Sequence, residues 1–121
     1  MLQVALGGAI GASLRYGTGV LVMRYWAHGF PLGVLTVNII GSFIMGVFVT
    51  YAALRGAGHL TPFIATGILG GFTTFSSFSL EAVTLFERGQ IGSAALYVTL
   101  SVAVSIAALV AGLLLARAIF A

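Results

Sequence analysis

The sequence predicts an all-α polytopic membrane protein of four transmembrane helices, the third broken near the bilayer midplane. Three observations lead there. Only 6% of the 121 residues are charged, against about 25% in a soluble domain. Mean hydropathy is +1.19. The few charges and the turn residues divide the chain into four stretches, each near the ~20 apolar residues that cross a hydrocarbon core of ~30 Å. Five Arg and two Glu, with no Lys or Asp, cannot cover a water-soluble surface. That excludes a cytoplasmic enzyme, a nucleic-acid binder and a disordered segment. The pI near 10.0 reflects a net +3 on very few groups rather than a basic patch. With no cysteine there is no disulfide framework, thiolate metal site or redox motif.

The spans follow in order, within a single domain over 1–121. The first covers 2–24. It has no basic residue before Arg15 and no small-x-small cleavage pattern there, so it reads as a retained span rather than a signal peptide. The second covers 31–54, the third 62–86 and the fourth 91–116. The breaks at 25–30, 55–61 and 87–90 each carry Gly with a charged or interfacial residue. Pro31 and Pro62 stand where a first helical residue needs no N–H, and Thr61 is placed to cap the third span. Short connections make sequence neighbours antiparallel. Arg55 and Arg117 then fall on one side of the membrane and Arg24 and Arg88 on the other, a tie under the positive-inside rule. Either the chain inserts both ways and opposite copies pair antiparallel, or Arg15 or the insertion machinery breaks the tie.

A bundle of four helices leaves little room for a polar pathway, so function is expected to need an oligomer. Small residues four apart offer contact faces: Gly7 with Gly11, Gly8 with Ala12, Ser42 with Gly46, Gly67 with Gly71, Ala108 with Gly112. Sequence alone leaves open whether these serve one subunit or two.

Polar groups inside a bilayer are costly and mark functional sites. The middle of the third span crowds five hydroxyls, Thr73, Thr74, Ser76, Ser77 and Ser79, just after Gly67, Gly70 and Gly71. From Pro62 to Gly70 a helix climbs about 13.5 Å at 1.5 Å per residue, which puts the Gly pair near the midplane. Paired Gly followed by two Thr makes a poor continuous helix. A break at that depth presents carbonyls suited to a hard cation and N–H groups suited to an anion. The bland alternative is a kink whose carbonyls are satisfied by Ser and Thr.

Phe75 and Phe78 share a face beyond the break. They either pack, or offer positive ring edges to a desolvated anion. Tyr97, Ser101 and Ser105 recur every fourth residue, and Asn38 with Ser42, near Thr36, forms a similar polar pair. Either these are interhelical hydrogen bonds or they are a ladder of neutral donors. Arg15 and Glu81 are the two charges at depth. Arg15 snorkels, pairs with a helix end, or draws an anion into a vestibule. Glu81 falls near a pore mouth, within reach of an Arg. His28 and His59 lie in different loops and offer no metal-ligand spacing. GGAIGA follows no strand and is no nucleotide fingerprint.

Three runs together resemble a known family: GGAIGASLRY at 7–16, GVLTVNIIGSFIMG at 33–46 and, most specifically, GGFTTFSSFSLE at 70–81. They are similar to the Fluc/CrcB-type fluoride channels over nearly the whole chain. The resemblance implies an antiparallel dual-topology homodimer in the cell (inner) membrane, with two fluoride pores built from both subunits. It implies a structural, non-transported Na+ at the dimer centre on main-chain carbonyls of Gly70 and Thr73. Phe75 and Phe78 are then the pore phenylalanines, and Asn38, Tyr97, Ser101 and Ser105 the polar positions of the pathway. Arg15 matches the family's Arg after the first Gly motif. Where TTFST is common in the family this chain has TTFSS, and Ser77 keeps the hydroxyl.

The implied selectivity fits elementary electrostatics. Fluoride is small and strongly hydrated, so dense OH and NH2 donors must replace its water. A fixed Arg or Lys in the path would hold the ion too long to conduct. Passive flow would let fluoride that enters as HF leave down its gradient, reducing its toxicity. The main rival is a small dual-topology drug/proton antiporter, which needs a membrane carboxylate, preferably in the first span, where none occurs. A packing scaffold would account for the Gly motifs but not for midplane hydroxyls. No nucleophile–base pair or metal cluster suggests an enzyme.

Overall fold

A computed structural model describes residues 1–26 and 30–121. His28 lies outside the described residues. The elements are helical, with no strand among the described residues: α1 (Leu2–Trp26), α2 (Leu32–Arg55), α3 (Gly70–Phe72), α4 (Phe75–Glu87) and α5 (Ile91–Phe120). A 3-10 turn at Gly58–Leu60 and a π-helical stretch at Pro62–Leu69 lead into α3.

Among the described residues, Leu32–Arg55, Gly58–Glu87 and Ile91–Phe120 are long and apolar enough to cross a membrane. α1 has the length, 25 residues, but Gln3, Arg15 and its glycines dilute its hydropathy. Most boundaries hold or move outward from the sequence expectation, most at the end of α5, while α2 starts one residue later than expected. Gly56 ends α2 at φ 66 and ψ 31, the left-handed geometry that glycine adopts without a Cβ penalty. Pro31 precedes α2 instead of opening it. Thr61 forms no side-chain cap, because its own backbone is helical (φ −54, ψ −46) and its N–H bonds Gly58 O in the preceding turn. The π-helical stretch closes with Gly70 N–H donating to Ala65 O, five residues back.

Helices that run the same way pack as pairs. A Cβ on Gly7 would meet the Phe63 carbonyl and Gly67 Cα, and one on Gly11 would meet the Ile68 carbonyl. A Cβ on Gly71 would meet Gly8 O at 2.8 Å and Ala12 N at 3.1 Å. α1 and the first half of the third stretch therefore touch backbone to backbone. α2 and α5 do the same: Gly46 faces the Leu109 carbonyl and Gly112 faces the Phe43 carbonyl. These small-residue faces are filled within one subunit, which resolves that open question for Gly7, Gly11, Gly46, Gly67, Gly71 and Gly112. Gly8 alone among the leading residues of those pairs has space beside it for a Cβ.

The third stretch is interrupted, but not at its glycines. Gly70 remains helical (φ −63, ψ −35), whereas Thr73 (φ −82, ψ 157) and Thr74 (φ −152, ψ 123) are extended. The sequence places the break in the run of paired Gly and two Thr; within that run Gly71 serves the close approach of α1, and the chain opens at Thr73–Thr74. A core of Leu35, Phe78, Leu85, Ala94 and Tyr97 packs α4 between α2 and α5. A second cluster, Phe48, Ala52, Ala57 and Ala65, fills the other end. Large apolar side chains such as Leu6, Ile44, Val102 and Leu114 are exposed on the outside, as a hydrocarbon solvent allows.

Candidate ion site at the helix break

A continuous helix would deliver the N–H groups of Thr74 to Ser77 to the carbonyls of Gly70 to Thr73. Extending Thr73 and Thr74 diverts those donors. Thr74 N–H donates to Asn38 Oδ1 at 2.8 Å, and Asn38 Nδ2 donates to Thr74 O at 3.0 Å. Ser77 N–H donates to Thr74 Oγ1 at 3.2 Å, which caps α4. Arg15 Nε donates to Gly71 O at 3.0 Å. The carbonyls of Gly70 and Thr73 have thus lost their helical donors to Asn38 and to the Thr74 hydroxyl.

Part of the bland alternative also holds. Thr73 Oγ1 donates back to Leu69 O at 2.9 Å and Ser79 Oγ to Phe75 O at 3.0 Å. With Thr74 capping α4, three of the five hydroxyls serve local backbone. None of those bonds reaches the Gly70 or Thr73 carbonyl. Among the described residues no group of three or more His, Cys, Asp or Glu converges. A cation at this break would accordingly be a hard one on peptide oxygens.

Beside the break lies an open groove of about 450 Å³ between α2, α4 and α5. Asn38, Thr73, Phe75, Phe78, Ser101 and Ser105, all picked out from the sequence, line it together. Phe75 is 78% exposed and Phe78 buried, their ring centroids 5.5 Å apart. The hydroxyls of Ser101 and Ser105 are buried and have no hydrogen-bond partner among the described residues. Orphaned buried donors are uncommon and call for an explanation.

Tyr97 leaves the expected ladder. Its ring is fully buried, 5.3 Å from Phe78, and its hydroxyl donates to Glu81 Oε2 at 3.2 Å. Glu81, expected to meet an Arg, meets this tyrosine. It lines, with Arg15, a second cavity of about 640 Å³ between α1, α2 and α4. Arg15 takes the helix-end option among those its position allowed. Two contacts carry no advance mark in the sequence analysis: the Phe30 ring and the capping role of Thr74. Phe30 sets its ring edge-on to Tyr97 at 5.6 Å and 84°, and Thr74 holds the start of α4. An aromatic in a turn carries no signal of its partner. Thr74, by contrast, was legible as Thr three residues before Ser77, in the capping register.

Fold and site together define a multi-pass membrane protein whose third helix is split beside a largely apolar groove that holds a few hydroxyl and amide groups. Comparison with known proteins places it more closely. A family model described as CrcB-like protein, Camphor Resistance (CrcB), matches residues 2–113. A protein of Ruegeria sp. (strain TM1040) is 63% identical over 120 residues, covering 98% of this chain and 95% of that protein. One from Roseobacter denitrificans (strain ATCC 33942 / OCh 114) is 57% identical, covering 99% and 97%. One from Agrobacterium fabrum (strain C58 / ATCC 33970) is 54% identical, covering 97% and 95%. All three bear the name "Fluoride-specific ion channel FluC", a channel and not an enzyme. The chain belongs to the CrcB-like family.

Proposed function

We propose that this chain forms a fluoride-selective channel that lets fluoride leave the cytoplasm passively across the cell (inner) membrane, reducing its toxicity. One observation carries the reading: buried, unpartnered hydroxyls of Ser101 and Ser105 converge with Asn38, Phe75 and Phe78 on one groove at a helix break. Neutral donors at close quarters replace an anion's water without trapping it. Phe75 and Phe78 add ring edges, and the Tyr97–Glu81 bond holds the wall behind them. The names of close relatives support fluoride as the ion.

All four hydrophobic stretches span the bilayer in this reading, α1 among them, kept there by its contact with the third stretch. Two oppositely inserted copies form the working dimer. The even split of Arg24 and Arg88 against Arg55 and Arg117 supports dual insertion, and the bare Phe75 at the groove supports a second copy. Gly70 and Thr73, whose carbonyls lack their helical donors, would hold the structural sodium. When bound, that ion offsets the partial negative charge of the opened helix end.

The reading is tested with purified protein in liposomes. Fluoride should escape while chloride stays, and the flux should not depend on a proton gradient. A strict proton requirement would favour the drug/proton antiporter. Phe75→Ile and Phe78→Ile should each cut flux with the dimer intact on a sizing column, since the ring edges that would meet a desolvated ion are lost. Wild-type flux in both removes the phenylalanines from the path. Ser101→Ala and Ser105→Ala should lower flux but leave thermal stability within about 0.5 kcal/mol, because neither hydroxyl has a partner to lose. A matching loss of stability would make them packing groups. Accessibility labels on the termini should report both sides of the membrane; a single side rejects dual insertion.

A further inference from the structure

We infer that Arg15 is a positioning residue for the cation site: of the carbonyls that the break frees, its hydrogen bond withdraws that of Gly71, so that it does not compete with those of Gly70 and Thr73. The inference rests on the sodium reading above and adds the residue that sets which oxygens face the ion. Gly11 lies one turn before Arg15 and is pressed onto Ile68 and Phe72, so α1 cannot slide relative to α3. From that fixed base the Arg15 Nε reaches Gly71 O at 3.0 Å. The Gly71 carbonyl has lost its helical register with Phe75 N–H, because Thr73 and Thr74 are extended. Unpaired, it would compete with its neighbours for the ion or draw the break back toward a helix.

Arg15 also carries positive charge, which opposes a nearby cation. The two effects have opposite signs. The half-buried guanidinium lines the open 640 Å³ cavity on its other side, as does Glu81 of opposite charge, while the Nε bond lies against the packed backbone. Ordering of the carbonyls therefore outweighs repulsion. The bond also supplies a cation to a helix C-terminus, the favourable arrangement for the peptide dipoles.

The test is the thermal unfolding midpoint of the purified full-length protein, titrated with sodium against N-methyl-D-glucamine at constant ionic strength. The wild type should show a saturable, sodium-specific rise. Arg15→Gln should move the half-saturating sodium concentration up roughly tenfold, as loss of one charge-assisted hydrogen bond gives. Arg15→Lys keeps a charged donor without the planar fork and should shift it only about threefold. A merely structural arginine would lower the midpoint equally in both cations and leave half-saturation where it was. Unchanged or tighter sodium dependence in Arg15→Gln overturns the inference. If that variant does not fold, unchanged half-saturation in Arg15→Lys overturns it. A wild type indifferent to sodium removes the sodium reading itself, and the inference with it.

Discussion

Asn38→Leu is expected to abolish fluoride efflux and to lower stability by about 2–4 kcal/mol, the penalty for leaving two backbone groups unpaired in a membrane interior. The side-chain amide grips both polar atoms of one residue, accepting from Thr74 N–H and donating to Thr74 O. No other side-chain type of that size offers an acceptor and a donor in one plane. Without it the cheapest repair is for Thr74 to turn helical and return its N–H to Gly70 O, which heals the break. Asn38→Asp separates the two halves of the clamp. The carboxylate still accepts from Thr74 N–H but sets an oxygen against Thr74 O, and it adds a negative charge beside the proposed anion path. Its efflux should be as low as that of the leucine variant, with a smaller stability loss. Efflux from liposomes and thermal unfolding in detergent read both. Wild-type flux in Asn38→Leu would show that the clamp is dispensable.

Gly46→Ala and Gly112→Ala form the second pair of large effects. Each new Cβ would collide with a main-chain carbonyl across the α2–α5 contact, Leu109 O for one and Phe43 O for the other. A backbone atom within a helix cannot step aside, so the helices must separate. Overpacking of this kind costs about 1–3 kcal/mol and occasionally more. Separation also widens the groove, whose walls are Asn38, Ser42 and Met45 on α2 and Ser101, Ser105 and Leu109 on α5. Both variants should lose folded dimer and fluoride flux together. The double variant should cost less than the sum of the two, because one separation makes room for both methyls. Gly92→Ala, with nothing within 4 Å of its Cβ, should behave as wild type. Strictly additive losses would mean that the two glycines do not share one contact.

The spans were legible because charge is scarce and placed at turns: Arg24, Arg55 and Arg88 with their neighbouring glycines mark the ends of apolar runs. That the third helix breaks was legible too, from hydroxyls crowded at midplane depth. Its position among the glycines and threonines there was not. Glycine weakens a helix and also lets another backbone approach, and from one chain the two uses look alike. Gly71 is taken up by α1, so the opening falls at Thr73–Thr74. The partners that hold it lie far off in sequence, Asn38 at a separation of 36 and Arg15 at 56. No local pattern announces such pairings. The groove residues were found without knowing what they touch, since a polar side chain in a lipid-spanning helix is conspicuous by itself. The Tyr97–Glu81 bond was missed for the converse reason: the fourfold spacing tied Tyr97 to Ser101 and Ser105, while its hydroxyl turns toward another helix.

The most direct measurement is the backbone conformation of Thr73 and Thr74 in a lipid bilayer, read from the solid-state NMR carbon shifts of threonine-labelled protein. Thr73→Ser and Thr74→Ser assign the two signals. Extended-chain shifts at both positions, reverting toward helical values in Asn38→Leu, are the expected result. Helical shifts at both in the wild type would mean that no peptide oxygens are released at mid-membrane, and the proposed ion site would not exist.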